Sequence, residues 1–221
     1  MATSRPAIAA PRIDALRLVG LTDADPATIA AGAHHEAHRW TGADLGGRDL
    51  TDAVFSECAF VGVDAGDAEL RGARFLETRL ERLTAPALRA SRSGWRDVRL
   101  EGSRLGAADL TDADLQSVAV IGSRLTFVNL RGARLRDVLF ADSVVDELDL
   151  TGARAERVAF EDCTVGALVL DHAQLRHVDL RRARLRTVSG VDSLRGAVLS
   201  STQAADLTAA FAAHLGITVR D

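Results

Sequence analysis

The sequence HHEAH at residues 34–38 contains the side chains best suited to bind a metal. His34 and His38 are four residues apart, a spacing that would place both imidazoles on one face of a helix. The zinc-protease pattern, however, requires two residues between its glutamate and its second histidine, and only Ala37 separates Glu36 from His38. No third ligand is evident. We therefore expect exposed histidines, no metal site and no cofactor.

Two further sets of residues are weaker candidates for chemistry. Cys58 and Cys163 are too few for a secreted disulfide scaffold, and we expect them to be buried free thiols. Asp109, Asp112 and Asp114 resemble part of a calcium loop but lack its invariant glycine and closing glutamate. The sequence contains no phosphate-binding loop, dinucleotide-binding motif or hydrolase nucleophile elbow. It therefore predicts that the protein is not an enzyme.

Composition indicates a soluble chain with a hydrophobic core. Of the 221 residues, 47% are apolar, and no apolar run approaches the roughly 20 residues of a membrane span. The beginning, MATSRPAIAAPRI, lacks the continuous apolar stretch of a signal peptide, so we expect a cytoplasmic protein. A formal net charge of −4 argues against a general basic surface for direct nucleic-acid binding.

Leucine and phenylalanine recur at every fifth residue over most of the chain. From position 45 to 185, 21 of the 29 positions divisible by five are Leu or Phe, and none is polar. Small or aliphatic residues precede many of these centres by two positions, as Ala108 precedes Leu110. A period of five fits neither a helix nor a half-buried strand. It predicts a backbone that turns a corner every five residues and closes a square turn in 20, giving about seven turns and a rod about 35 Å long.

The stretches GADLGGRDL, GAADLTDADL and NLRGARL resemble the A(D/N)LXX pattern of the pentapeptide repeat family. The resemblance implies an all-β solenoid, specifically a right-handed quadrilateral parallel β-helix with a C-terminal α-helix. We assign residues 1–37 to an N-terminal arm and cap, 38–199 to the β-helix, and 200–221 to a C-terminal helix and tail.

The repeat has two irregular regions and an apolar C-terminal helix. Between residues 83 and 90 the centres are small and the inward residues two positions earlier are large, which is the reverse of the usual order. Pro86 lies in the same stretch, so we expect a distorted or bulged coil over 83–95. After residue 188 the register slips by one residue. Leu207, Phe211 and Leu215 then form one apolar helical stripe, which we expect to cap the last coil and to join two copies into a homodimer.

One acidic column is expected on the outside of the rod. Glu57, Glu77, Asp97 and Asp137 occupy the same position of different square turns and therefore stack, with Ser117 between the last two. We name these four carboxylates the acidic edge. The family resemblance implies a role for such an edge, because its Qnr-like members imitate duplex DNA and bind type II topoisomerases. Residues 41–190 contain 24 acids and 21 arginines, a net charge of −3. About 35 Å of DNA carries roughly 20 charges, so imitation is restricted to a single edge.

Three hypotheses follow for function. The first is a non-enzymatic protein-binding scaffold whose acidic edge engages DNA gyrase or topoisomerase IV and protects it from inhibitors, which would confer antibiotic resistance. The second is a structural or assembly module with another protein partner, dimerising through the C-terminal helix. The third, an enzyme using the histidine cluster, requires a bound metal.

Overall fold

The chain folds into a parallel β-solenoid. The computed structural model describes residues 8–219, so residues 1–7 of the predicted arm and 220–221 of the predicted tail lie outside the described residues. Within this range the strands are β1 (Thr22–Asp23), β2 (His34–Glu36), β3 (His38–Thr41), β4 (Val54–Ser56), β5 (Ala59–Val61), β6 (Ala68–Glu69), β7 (Arg74–Leu76), β8 (Arg79–Glu81), β9 (Thr84–Arg89), β10 (Gly94–Glu101), β11 (Arg104–Asp109), β12 (Asp114–Ile121), β13 (Arg124–Asn129), β14 (Arg134–Ala141), β15 (Val144–Asp149), β16 (Arg154–Glu161), β17 (Cys163–Val169), β18 (Gln174–Asp179), β19 (Ala183–Ser189) and β20 (Ala197–Val198).

Every strand pairs with a parallel neighbour one turn away. Through most of the rod each residue pairs with its counterpart in the next square turn, as Leu115 pairs with Leu135. The hydrogen-bonded order β1-β3-β5-β8-β10-β12-β14-β16-β18-β20 stacks ten strands, so the solenoid makes about nine turns. At about 4.8 Å per turn the rod is roughly 43 Å long. The fold class predicted from the period of five is therefore confirmed.

The number of turns exceeds the seven predicted, because the ladder extends beyond the recognisable repeat at both ends. At the beginning, β1 pairs with β3 in the register Thr22↔His38, which is shorter than a full square turn. At the end, Val178 pairs with Ala197, one position short of a full turn, as the one-residue slip requires. Both terminal turns depart from the regular repeat, and the period therefore underestimates the length of the solenoid.

Corners between the faces use the left-handed backbone region, even where the residue is not glycine. Among residues 8–219, sixteen non-glycine residues have positive φ, including Asp52, Asp97 and Asp112. Aspartate tolerates this conformation better than most residues because its short polar side chain bonds to nearby backbone. The sharp turn places the corner residue at a vertex, so its side chain projects away from the core.

The core is one continuous column of inward side chains. Leu130 and Leu150 are almost fully buried, as the centre positions require, and Ala133 and Ala153 are buried beside them. Aromatic residues fill the first turns, where Phe55, Phe75 and Trp95 stack one above another along the axis.

A column of serines also points inward, and its hydroxyl groups are fully paired. Ser103 accepts a hydrogen bond from the Leu83 N–H (3.0 Å), Ser123 accepts from the Ser103 N–H (3.1 Å) and Ser143 accepts from the Ser123 N–H (3.1 Å). Each hydroxyl donates in turn to a backbone carbonyl two residues earlier. Burial of these polar groups is tolerated because each has both partners.

The expected bulge over 83–95 is not present. Strand β9 keeps the regular register of the square turn, with Ala85↔Leu105 and Leu88↔Ala108. The exchange of large and small residues conserves core volume, so the turn need not distort. Pro86 lies at the one position of β9 that forms no ladder pair with β11, and its missing N–H removes no sheet hydrogen bond.

Short helices complete the chain. A 3₁₀ helix, Pro26–Thr28, precedes β2, and a second, Val191–Leu194, precedes β20. The predicted C-terminal helix is two helices, α1 (Ser201–Asp206) and α2 (Thr208–His214). No helix among residues 8–219 is long and apolar enough to cross a membrane.

A capping box at Ser200 and Gln203 begins α1. The Gln203 side-chain amide also donates to the carbonyls of Leu180 (2.6 Å) and Ala183 (2.7 Å). These bonds satisfy carbonyl groups of the last full turn, so α1 caps the backbone of the solenoid at this end.

We predict that Leu130→Ala lowers the free energy of unfolding by about 2–5 kcal/mol, because it opens a cavity in the middle of the core. The outward Thr126→Ala in the same turn is exposed and is expected to change stability by less than about 0.5 kcal/mol. Chemical denaturation of both variants measures the difference. Equal effects would contradict the inward direction of the centre positions.

Candidate partner-binding edge

The acidic edge lies on one corner of the solenoid. Glu57, Glu77, Asp97 and Asp137 all have positive φ, between 46° and 58°, so each occupies the vertex of its turn. Register pairs on both sides of this corner stack successive turns, and adjacent vertices are about 4.8 Å apart. The column predicted from the square turn is therefore assembled as a physical edge.

The edge divides into an open part and a covered part. Glu77 is exposed, Glu57 and Asp97 are half-buried, and within residues 8–219 none of the three has an ion-pair partner. Asp137, by contrast, is only 7% exposed, and Ser117 above Asp97 is 4% exposed. The sequence did not indicate this difference, because all five positions are equivalent in the repeat.

Asp137 is buried in an ion pair with Arg157, the vertex residue of the next turn. The Arg157 guanidinium donates from Nε to Asp137 Oδ1 (2.6 Å) and from Nη2 to Oδ2 (2.8 Å), a bidentate arrangement. The hydrogen bonds from Arg157 are the main cause that lowers the pKa of Asp137 below its ordinary value. They also raise the pKa of Arg157. The negative charge of Asp137 is thus balanced by the guanidinium of Arg157.

Residues 8–19 cover this part of the edge, and we name this segment the strap. It extends along the rod from the level of His177, which accepts a hydrogen bond from Ala9 N–H (3.4 Å), toward the first turns. The Arg12 N–H donates to Asp137 (2.9 Å) and the Asp14 N–H to Ser117 (3.4 Å). The predicted arm is therefore docked on the solenoid.

A second acidic column lies on another face and is interrupted by Arg89; its members are Asp49, Glu69, Arg89, Asp109, Asn129 and Asp149. Arg89 donates to Glu69 (3.2 Å) and to Asp67 (3.0 Å), so both carboxylates are paired. Further along, Asn129 donates to Asp109 (3.2 Å). This column offers fewer free charges than the open part of the acidic edge.

The expectation of exposed histidines is confirmed for His34 only, because His38 is half-buried and His35 is buried. Residues 34–36 and 38–41 form strands β2 and β3, so His34 and His38 do not share a helical face. His35 is buried in the core, with its ring stacked on Phe55 at a centroid distance of 5.5 Å. Position 35 is a further centre of the five-residue period, two repeats before the first centre used in the prediction. The imidazole therefore occupies a place where Leu or Phe is usual.

Cys58 and Cys163 are both free and buried. Burial raises the pKa of each thiol, which makes both poor nucleophiles and metal ligands. Among residues 8–219 no group of three or more His, Cys, Asp or Glu side chains is placed to hold a metal ion.

The C-terminal stripe is incompletely covered. Leu207 separates α1 from α2 and is half-buried, as is Phe211, whereas Leu215 is 70% exposed. Ile217 and Val219 beyond it are also exposed. The three residues predicted for a cap and dimer contact therefore divide into two that pack on the protein and one that faces solvent.

Three features define a quadrilateral β-solenoid: a core of inward residues at every fifth position, four vertices per turn, and a parallel ladder of regular register. The pentapeptide repeats family model matches eight copies, over residues 41–82 and 96–132. These two segments of the chain therefore consist of pentapeptide repeats.

Several solved structures are similar to the chain at low identity. Full-length QnrB1, a plasmid-mediated fluoroquinolone resistance protein, is 16% identical, with 88% of this chain and 95% of that chain covered and a TM-score of 0.35. HetL is a pentapeptide repeat protein involved in heterocyst differentiation regulation, from the cyanobacterium Nostoc sp. strain PCC 7120. It is 19% identical, with 77% and 91% covered and a TM-score of 0.41. No curated protein sequence matches the chain.

His35 makes stability depend on pH. Burial, followed by the nearby charges of His38 and His34, lowers the pKa of His35 below its ordinary value of 6.5. Protonation therefore favours the unfolded chain, so stability is lost as pH falls below about 6.5 and through the lowered folded-state pKa. We predict that His35→Phe, which keeps the stack on Phe55, reduces the loss of melting temperature between pH 7 and pH 5. An unchanged pH dependence would show that His35 is not the titrating group.

Proposed function

We propose that the protein is a non-enzymatic binding scaffold that engages a protein partner through the acidic edge. The observation that carries the proposal is the run of carboxylates at Glu57, Glu77 and Asp97, one on each successive vertex, which have no ion-pair partner within residues 8–219. Isolated surface charges gain little from pairing within a chain, but a regular row of them produces a directional field that a cationic partner recognises.

The edge imitates one strand of a nucleic acid more closely than it imitates a duplex. It presents one carboxylate per about 4.8 Å, whereas each strand of DNA carries one phosphate per about 3.4 Å. Ser117, which follows Asp97 on the same corner, ends the run of free carboxylates, and Arg157 neutralises Asp137 beyond it. The edge would therefore contact only a short segment of a partner surface that normally binds along a phosphate backbone.

Among proteins that track a phosphate backbone, we propose a type II topoisomerase, DNA gyrase or topoisomerase IV, as the partner. The resemblance of the repeats to those of Qnr-like proteins supports this choice, and the position of the edge on a narrow rod is compatible with a DNA-binding groove. Binding there would compete with DNA and would protect the enzyme from inhibitors that act on its DNA complex. In this role the chain itself binds no nucleic acid.

Neutralising the open part of the edge is expected to weaken the effect on gyrase. The variant Glu57→Gln/Glu77→Gln/Asp97→Asn should require at least about tenfold more protein, equivalent to ~1.4 kcal/mol, to relieve fluoroquinolone inhibition of supercoiling. The matched control Glu101→Gln/Glu147→Gln/Glu161→Gln removes three charges from other faces and should behave as the parent does. A titration of the parent to tens of micromolar without effect on supercoiling would refute gyrase as the partner.

A second candidate function, an assembly module made of two copies, rests on the C-terminal end of the rod. Leu175 and Leu185 in the last turns are only partly buried, and Leu215, Ile217 and Val219 project into solvent. An apolar end of a solenoid that its own helices cover only in part is suited to pair with a second copy. This contact would join two rods end to end.

If the contact forms, Leu215→Glu/Ile217→Glu should dissociate the dimer, because each substitution buries a charge at an apolar interface. Ala209→Glu/Ala213→Glu adds the same charge to exposed positions of α2 away from the stripe and serves as the control. Light scattering over a range of concentrations gives the mass of each variant. If the parent protein stays monomeric at 100 times the concentration used in the supercoiling assay, the dimer is excluded.

A further inference from the structure

The strap is recognised through its backbone more than through its side chains. The N–H groups of Ala9, Arg12 and Asp14 donate to solenoid side chains, and the carbonyl of Asp14 accepts from the Arg99 guanidinium. Nearer the first turns, the carbonyl of Leu21 accepts from Arg39 (3.5 Å). Backbone recognition of this kind fits any extended polypeptide with suitable spacing, which is the basis of many peptide-binding surfaces.

The strap is almost fully extended. His177 and Arg39 are about seven turns apart, or roughly 34 Å along the axis at the spacing of paired strands. Twelve residues join Ala9 to Leu21 and span at most about 40 Å. The segment therefore forms no turn of its own and follows the axis from the last turns to the first.

Beneath the strap, outward-facing positions of the solenoid are buried. Ala119 is 1% exposed, Ala159 8% and Arg99 8%, and Leu139 between the alanines is half-buried. All four lie in the position before a centre, which faces out of the core. The equivalent positions on the neighbouring face are exposed: Asp114, Arg134 and Arg154. The strap therefore lies in a groove, which we name the strap groove and define by Arg99, Ala119, Leu139 and Ala159; its floor is apolar except for Arg99.

Side chains of the strap alternate between this floor and solvent. Ala9, Pro11 and Ile13 are half-buried, and after a shift of one residue so are Leu16 and Leu18. The residues between them are exposed. This is the period of two expected for an extended chain with one side against a surface.

The strap is attached to the solenoid weakly enough to dissociate from the strap groove. None of its residues is fully buried, in contrast to the solenoid core. It joins the first turn through Gly20, whose φ is 69° and whose α-carbon faces open space, after an exposed Val19. Segments with few buried contacts open at low free-energy cost while the core stays folded. Departure would expose the groove floor together with Asp137.

We propose that the strap groove is a docking site for an extended segment of a partner protein, with residues 8–19 as its resident competitor. The segment that fits has apolar side chains at alternate positions and follows the chain direction of the strap, antiparallel to the growth of the solenoid. It needs free backbone N–H groups opposite Asp137 and Ser117. This site is adjacent to the acidic edge but does not depend on the identity of the partner proposed for that edge.

The test uses a fluorescent synthetic peptide of residues 6–20 as the probe and the full-length chain as the receptor. Ile13→Asp/Leu16→Asp weakens the strap of the receptor without changing the groove. Ala10→Asp/Ala15→Asp adds the same charge to the exposed side of the strap and is the matched control. We expect the first variant to bind the peptide at least about tenfold more tightly than the parent or the control does, since its groove is vacated. A peptide carrying the same two aspartates should not bind.

A second measurement uses the unmodified chain and does not depend on the variants folding. Excess unlabelled peptide should accelerate hydrogen exchange at the amides of Arg12 and Asp14, because it displaces the strap that protects them. The inference is overturned if exchange at these amides is insensitive to millimolar peptide. It is also overturned if the folded Ile13→Asp/Leu16→Asp variant binds the peptide no more tightly than its control.

Discussion

The regular register between successive square turns is the constraint on which the rest of the structure depends. It places each backbone N–H and carbonyl against the same position of the next turn, and it stacks each side chain on its counterpart. A leucine at a centre position therefore lies against an apolar residue of the next turn, and an inward serine bonds to backbone groups of its own and the neighbouring turn. The same register converts a sequence column of carboxylates into a straight edge, so the core and the acidic edge have one origin.

Inward positions were predictable because their chemistry repeats. The centres from 45 to 185 are apolar without exception, and burial of Leu130 and Leu150 follows from that regularity. His35 and the first turns were missed because an imidazole and a shortened first turn conceal the period there. The bulge expected at Pro86 was wrong because proline occupies a position without a ladder pair.

Outward positions were less predictable because their environment is set by a segment outside the repeat. Asp97 and Asp137 are equivalent in sequence, yet one lies at the open part of the edge and the other is covered by the strap. A signal was present in the apolar residues Ala119, Leu139 and Ala159 at positions where the neighbouring faces carry charges. Such a column on the outside of a solenoid indicates a surface that another segment covers.

The central claim is that one continuous tube advances by a fixed step with every four pentapeptides. Pulsed electron–electron distances between spin labels at outward positions of one column, in a variant with Cys58→Ala and Cys163→Ala, test it directly. Labels at residues 104 and 184 should be about 19 Å apart along the axis and labels at 64 and 184 about 29 Å, a linear increase of ~4.8 Å per turn. Distances that do not grow in proportion to the number of turns would contradict the tube.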